Sequence, residues 1–299
     1  MPAVLLALSA SLSWGVSDFL GGLLTRRYSV WSAVAIVQPT ALLGTLVVVA
    51  ALGAGPPRLG GLVAPLLGGL VSAAAGLAEY EAFRISTMTL VSPIVAGSAV
   101  VPFIAGLIGG DHLAAVQLAG ALLAIMGIVL ISRGGGRAAE SAASPGSGRA
   151  LSGSASRRGL GPLQVRAVLL ALGAALGFGL LLVSFDLGGK ADPYWTVLAA
   201  RSSSVTVIGA YLGARRPHLR LPLHAMPVLI LAGLLLVAAN TTFTLASTMG
   251  HLSVVGILGS LYPAITVACA AVLLREGLQK VQWAAAAAIL AGVVCLSVG

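Results

Sequence analysis

The chain has 299 residues, of which 58% are hydrophobic and only 8% charged, and its mean hydropathy is +1.04. Soluble domains carry about 25% charged residues, so a chain this poor in charge cannot cover a water-facing surface and must be solvated by lipid. The net charge of +9 sits on arginines in predicted loops and one linker, not along an amphipathic face, and this excludes nucleic acid as a partner.

A membrane-spanning helix needs about 20 mainly apolar residues. In chain order, such stretches run near 3–24, 29–53, 61–83, 90–109, 113–132, 166–187, 194–213, 224–246, 252–274 and 280–298. The first of them is read as a retained helix, not a signal peptide, because no Lys or Arg precedes Arg26. Punctuation such as Gly55-Pro56-Pro57-Arg58 and Arg215-Arg216-Pro217 marks short connections, which force neighbouring helices to run antiparallel. One connection differs. Residues 134–163 are rich in Gly, Ser, Ala and Arg without apolar periodicity, the composition of a flexible linker. The expected organisation is a first five-helix unit over 3–133, a linker over 134–165 and a second five-helix unit over 166–298.

The two units repeat. Residues 5–15 (LLALSASLSWG) and 169–179 (LLALGAALGFG) are identical at seven of eleven positions, and the same offset of 164 places Trp31 on Trp195. An offset of 161 places Ser86-Thr87-Met88 on Ser247-Thr248-Met249 and Pro102 on Pro263. An offset of 165 places Asp111 on Glu276, Gln117 on Gln282 and Gly127 on Gly292. Low complexity can imitate Leu and Ala matches, but not Trp, Pro, Met, Gln and acidic matches in the same order. Five spans is an odd number, so the second unit must insert upside down. The expected fold is therefore all-α integral membrane, ten transmembrane helices as two inverted five-helix repeats, with a substrate site near the midplane.

These motifs carry a family likeness. Ser11-Leu12-Ser13-Trp14-Gly15, its counterpart Phe178-Gly179, the Ser92-Pro93 region, Pro102 and Pro263, and the acidic turns at Asp111 and Glu276 resemble the EamA type of the drug/metabolite transporter superfamily. The resemblance covers essentially everything but the linker. It implies gradient-driven secondary transport, or export, of small metabolites by alternating access, without a cofactor. Asp111 stands where Glu is usual, and Val37-Gln38 stands opposite Arg201-Ser202, so the halves are chemically unequal.

Of the 17 Lys and Arg residues, fourteen lie in loops after the odd-numbered spans or in the linker, two on the other side, and Arg201 within a span. The positive-inside rule then places the linker in the cytoplasm and both termini outside. The family resemblance implies the opposite sidedness, and the charge count is the reading adopted.

Ionisable side chains in hydrocarbon are costly and usually face a cavity or a bundle interior. Asp18 lies about one turn beyond Trp14 on the same helical face, and is read as a proton-titrating or cation-contacting carboxylate, or as a helix-packing hydrogen bond. Glu79 is the proton-relay candidate. Glu81, two residues on, points elsewhere and is placed to pair with Arg84. Arg201, in the seventh span, suits an anionic group, a carboxylate such as Asp18 or Glu79, or an interfacial position. Asn240 falls near Glu79 by the repeat offset and can donate and accept. Trp14 and Phe178 occupy matched positions and either line a central pocket or pack in the core. The candidate substrate site is thus Trp14, Asp18, Glu79, Phe178, Arg201 and Asn240.

Other chemistries lack their motifs. Gly188-Gly189-Lys190-Ala191 is not followed as a phosphate loop requires, no HExxH or GxSxG occurs, and Cys269 and Cys295 lie in apolar stretches without metal-ligand spacing. The expected partners are the lipid bilayer of a plasma membrane of bacterial type, a small metabolite and protons. The alternatives from other classes are a non-transporting membrane partner and an intramembrane enzyme acting on lipid-linked substrates.

Overall fold

The computed structural model describes residues 2–25, 28–53, 55–85, 91, 94–127, 130, 162–217, 219, 223–273 and 280–297. Among them every regular element is helical. In chain order these are α1 (Pro2–Thr25), α2 (Val30–Leu52), α3 (Leu59–Ile85), a 3₁₀ turn (Ala96–Ala99) leading into α4 (Val100–Ile108), and α5 (Ala115–Gly127). The second half holds α6 (Pro162–Gly189), α7 (Pro193–Arg215), α8 (Met226–Met249), α9 (Leu252–Gly259), α10 (Tyr262–Leu273) and α11 (Lys280–Ser297). Six helices, α1, α2, α3, α6, α7 and α8, are long and apolar enough to cross a membrane. The other expected spans correspond to shorter apolar helices over 97–108, 115–127, 252–266 and 283–296. The linker falls almost wholly outside the described residues. Its expected last residues, 162–165, are instead the first turn of α6, where Pro162 opens the helix without losing a needed donor.

The helices present leucines outward and small residues inward. Leu5, Leu12 and Leu23 on α1 and Val63, Leu67 and Leu70 on α3 are exposed, whereas glycines mark the closest helix contacts. On α3, Gly68 meets Ser184 of α6 and Gly69 meets the Ala200 carbonyl of α7; Gly120 of α5 meets Gly292 of α11. Without a hydrophobic force between helices in lipid, such close backbone approach is what holds them together. Hydroxyls add to it: Ser204 Oγ donates to the Gly69 carbonyl at 2.7 Å and lies 3.1 Å from Ser72 Oγ.

The chain halves interleave. α3 packs on α6 and α7, α1 packs on α8 and α10, and α2 packs on both α7 and α8. Most long contacts therefore cross between the halves instead of staying within one. The ninth apolar segment, expected as one helix over 252–274, is interrupted at Ser260-Leu261, with every residue of α9 buried. Pro263 explains the break, because it lacks the N–H that would bond the Gly259 carbonyl. Pro102 follows the 3₁₀ turn at Ala96–Ala99 in the same way.

Polar contacts link the halves at both ends of the bundle. At one end Arg166 Nη2 donates to Glu81 Oε1 at 3.3 Å, and Tyr28 Oη lies 3.1 Å from His224 Nε2. The expected pairing of Glu81 with Arg84 concerns a side chain outside the described set. At the other end Asp111, in the α4–α5 turn, caps α9: its Oδ2 accepts from Ser253 N at 2.9 Å and Ser253 Oγ at 2.7 Å. His251 Nδ1 lies 3.1 Å from Asp111 Oδ1. Partial burial works against this charge, but the Ser253 donors and His251 outweigh it and hold the carboxyl below the usual carboxylate range. Lys190, in the sequence with a superficial phosphate-loop look, ends α6 and pairs with Asp186 at 2.9 Å.

Candidate functional site

The site begins with the direction of one side chain. At about 100° per residue, Asp18 lies roughly 130° around α1 from the lipid-facing stripe of Leu5, Leu12 and Leu23. It is nevertheless exposed. The surface it reaches is therefore internal, not lipid. Glu79 is half-buried on α3 and lies roughly 150° from the stripe of Val63, Leu67 and Leu70 by the same geometry. The two carboxylates are close enough to interact electrostatically, and neither has a hydrogen bond or ion pair among the described residues. Tyr262, at the start of α10, lies within electrostatic range of both.

Trp14, one turn before Asp18, supplies the adjoining wall. Its ring stands edge-to-face with Tyr262, with centroids 6.3 Å apart and planes at 72°. Behind it lies Phe243 of α8, fully buried, at 5.4 Å, and Phe185 of α6 lies 6.2 Å beyond Phe243. Trp14 Nε1 donates to Asn240 Oδ1 at 3.0 Å. An indole nitrogen only donates, so this bond fixes which end of the Asn240 amide is oxygen. The other end, Nδ2, is then buried without a partner. Ser11 Oγ, on the same stripe of α1 as Asp18, is buried and unpartnered too. Orphan polar atoms of this kind are rare in folded chains, and two of the three among the described residues lie on the helices that carry Trp14 and Asn240.

Two of the expected site residues stand apart. Arg201 does not pair with Asp18 or Glu79; its Nη1 donates to Gln38 Oε1 at 2.9 Å. Each of these two residues lies eight positions into its helix, α7 and α2 respectively. The helices start at opposite ends of the bundle, so the pair meets away from either helix end. Phe178 does not share a pocket with Trp14. It packs against the apolar cluster of Ala75, Ala82, Val91, Val95, Ala171 and Ala174, because the α3 residues facing it are small and α6 lies hard against them.

Sequence reasoning brought Trp14, Asp18, Glu79 and Asn240 forward but passed over Tyr262, Phe243 and Gln38. The repeat offset of 161 places Tyr262 on Val101 and Phe243 on Ala82, so nothing in the repeat pointed to an aromatic there. The available signal was an aromatic directly before the helix-breaking Pro263.

Residues 165–298 match the family model described as the EamA-like transporter family. No curated protein matches the sequence. The fold matches 26 solved chains. One crystal structure among them superposes with a TM-score of 0.79 at 16% identity, covering 99% of this chain and 96% of that one. Likeness at that identity concerns the fold alone.

Proposed function

We propose that the chain, whose residues 165–298 match the EamA-like transporter family, is a gradient-driven secondary carrier of the drug/metabolite transporter superfamily that exports small metabolites by alternating access. The observation that carries this reading is the internal carboxylate pair, Asp18 and Glu79. It faces away from lipid, is reachable, and lacks any partner within the described residues. Two such groups in a low-dielectric site are held only if a proton or a ligand neutralises them. That requirement couples occupancy of the site to a gradient.

Alternating access needs two related halves and two gates. The proposed architecture is ten spans as two inverted five-helix repeats, and three features support it. Gly15 lies against the Tyr262 carbonyl, and at the matched position Gly179 lies against the Ser98 carbonyl. At matched positions, Pro102 follows a 3₁₀ turn within a continuous helical run and Pro263 follows a two-residue interruption. Polar contacts link the halves at each end of the bundle, so releasing one set while the other holds would expose the carboxylates to one side at a time. The linker and the Arg166 end are proposed to face the cytoplasm on the charge count.

The test is flux. Purified chain in liposomes should exchange labelled metabolites from a broad panel when a pH gradient is imposed, and Asp18→Asn with Glu79→Gln should stop it. Absence of flux across the panel in either direction would overturn the carrier reading in favour of a non-transporting membrane partner.

A further inference from the structure

We propose that the substrate of this site is a small organic cation, an amine or quaternary ammonium that also carries a hydrogen-bond acceptor. The inference rests on the carrier reading and deepens it. Three independent features converge. The first is charge. Asp18 lies one turn from Trp14 on the same face of α1, within electrostatic range of Glu79 on α3, and no cation pairs with either among the described residues; Arg201 is bound to Gln38. An anionic ligand would meet like charge in a poorly screened site, whereas a cation relieves the repulsion between the carboxylates.

The second feature is the walls. Trp14 and Tyr262 stand at 72° to one another with centroids 6.3 Å apart, two faces of a box beside the carboxylates. Aromatic faces attract cations, Trp most strongly, and more so when water is excluded. Trp14 cannot swing away, because Asn240 holds its nitrogen at 3.0 Å and buried Phe243 backs its ring. The third feature is Asn240 itself. It is 1% exposed, its oxygen is committed to Trp14, and its Nδ2 has no partner. A buried amide donor left open beside a cation box is suited to a carbonyl, hydroxyl or ether oxygen on the ligand. Orphaned Nδ2 is the element that plain helix packing does not explain.

The experiment compares shape with charge. Purified full-length protein in detergent is titrated calorimetrically with benzyltrimethylammonium, with neopentylbenzene (the same shape with carbon replacing the quaternary nitrogen) and with benzoate. Saturable binding is expected for the cation alone. Affinity should fall about tenfold or more in Asp18→Asn, in Glu79→Gln and in Trp14→Leu, and remain unchanged in Trp283→Phe, whose side chain is exposed on α11. An ammonium probe bearing an ester oxygen should bind more tightly than benzyltrimethylammonium, and that gain should vanish in Asn240→Leu. Equal binding of the neutral isostere or of benzoate, or an unchanged cation affinity in a monodisperse Asp18→Asn/Glu79→Gln variant, overturns the proposal. Liposome flux separates the two readings. If another class of solute crosses while the cation neither binds nor crosses, the substrate class is wrong and the carrier stands. If the cation binds with the expected variant pattern but no solute crosses, the substrate class stands and the carrier reading falls.

Discussion

Trp14 and Phe178 occupy matched positions in the two halves of the sequence, yet their surroundings share almost no chemistry. Around Trp14 stand Asp18, Asn240, Phe243 and Tyr262. Phe178 instead packs against Ala75, Ala82, Val91, Val95, Ala171 and Ala174. One side carries a carboxylate, an amide and two aromatics; the other carries only apolar residues, most of them alanine. The backbone contacts, by contrast, agree more closely: a glycine lies against a carbonyl on each side, and a proline follows a departure from regular α-helix in each half, a 3₁₀ turn before Pro102 and an interruption before Pro263. In the proposed carrier, two related backbones would rock symmetrically, while a substrate needs only one set of side chains. The shared features are those that geometry demands, and the unshared features are those that a ligand would select.

That comparison can be broken in stages. The largest effect is expected from the charges. Asp18→Asn or Glu79→Gln should lower transport roughly 10- to 100-fold, the worth of one charge-assisted contact, whereas Leu182→Ile at the position matched to Asp18 should leave it within about twofold, since isosteric swaps are well tolerated. Equal losses from both, measured as initial flux at matched protein density, would mean that the two sides work alike. Next come the glycines. Gly15→Val and Gly179→Val should each cost about 1–3 kcal/mol through overpacking, read as a lower melting temperature in detergent. A cost at one glycine only would separate the halves at the backbone level too.

A smaller effect is expected from the indole. Trp14→Phe keeps the ring stack but orphans the oxygen of Asn240, at about 1–2 kcal/mol, the usual range for a buried polar group that loses its partner. Adding Asn240→Leu should recover part of that loss, and a strictly additive double-mutant cycle would show that the bond contributes nothing. Phe178→Leu should change stability without touching ligand affinity. The smallest effect lies at the end of the bundle. Asp111→Ala should cost about 0.5–1 kcal/mol as a lost helix cap. The Asp111 carboxyl is held below its ordinary range in the fold. Its contribution is therefore complete above the unfolded value near about 4 and disappears as pH falls through the folded one. Melting curves below that pH should bring the parent protein and the Asp111→Ala variant together; a gap that persisted would assign the stabilisation to something other than the carboxylate.

Hydrophobicity and the placement of Gly, Pro and Arg were enough to read a helical membrane protein, its likeness to a transporter family, and helix limits within a few residues. Those features are one-dimensional: a helix in lipid must satisfy its own backbone, so about 20 apolar residues already imply the element. The repeat was legible for the same reason, since a doubled order of rare residues survives without knowledge of contacts. Which deep polar groups meet was not legible. Arg201 looked equally suited to Asp18, Glu79 or an interface, and only the crossing of α2 with α7 gave it Gln38. Trp14 and Phe178 looked like partners, and only the packing of α1 on α8 and α6 on α3 put them in different places. Tyr262 entered the site because α10 starts at a break beside α1. Side-chain partners across a bundle depend on crossing angles and helix rotation, which small-residue contacts set cooperatively between segments far apart in the chain. Composition thus determined the solvent and the elements, while the tertiary structure decided that the face of α1 bearing Trp14 and Asp18, and not its matched face on α6, meets Tyr262 of α10 and the open amide of Asn240 on α8.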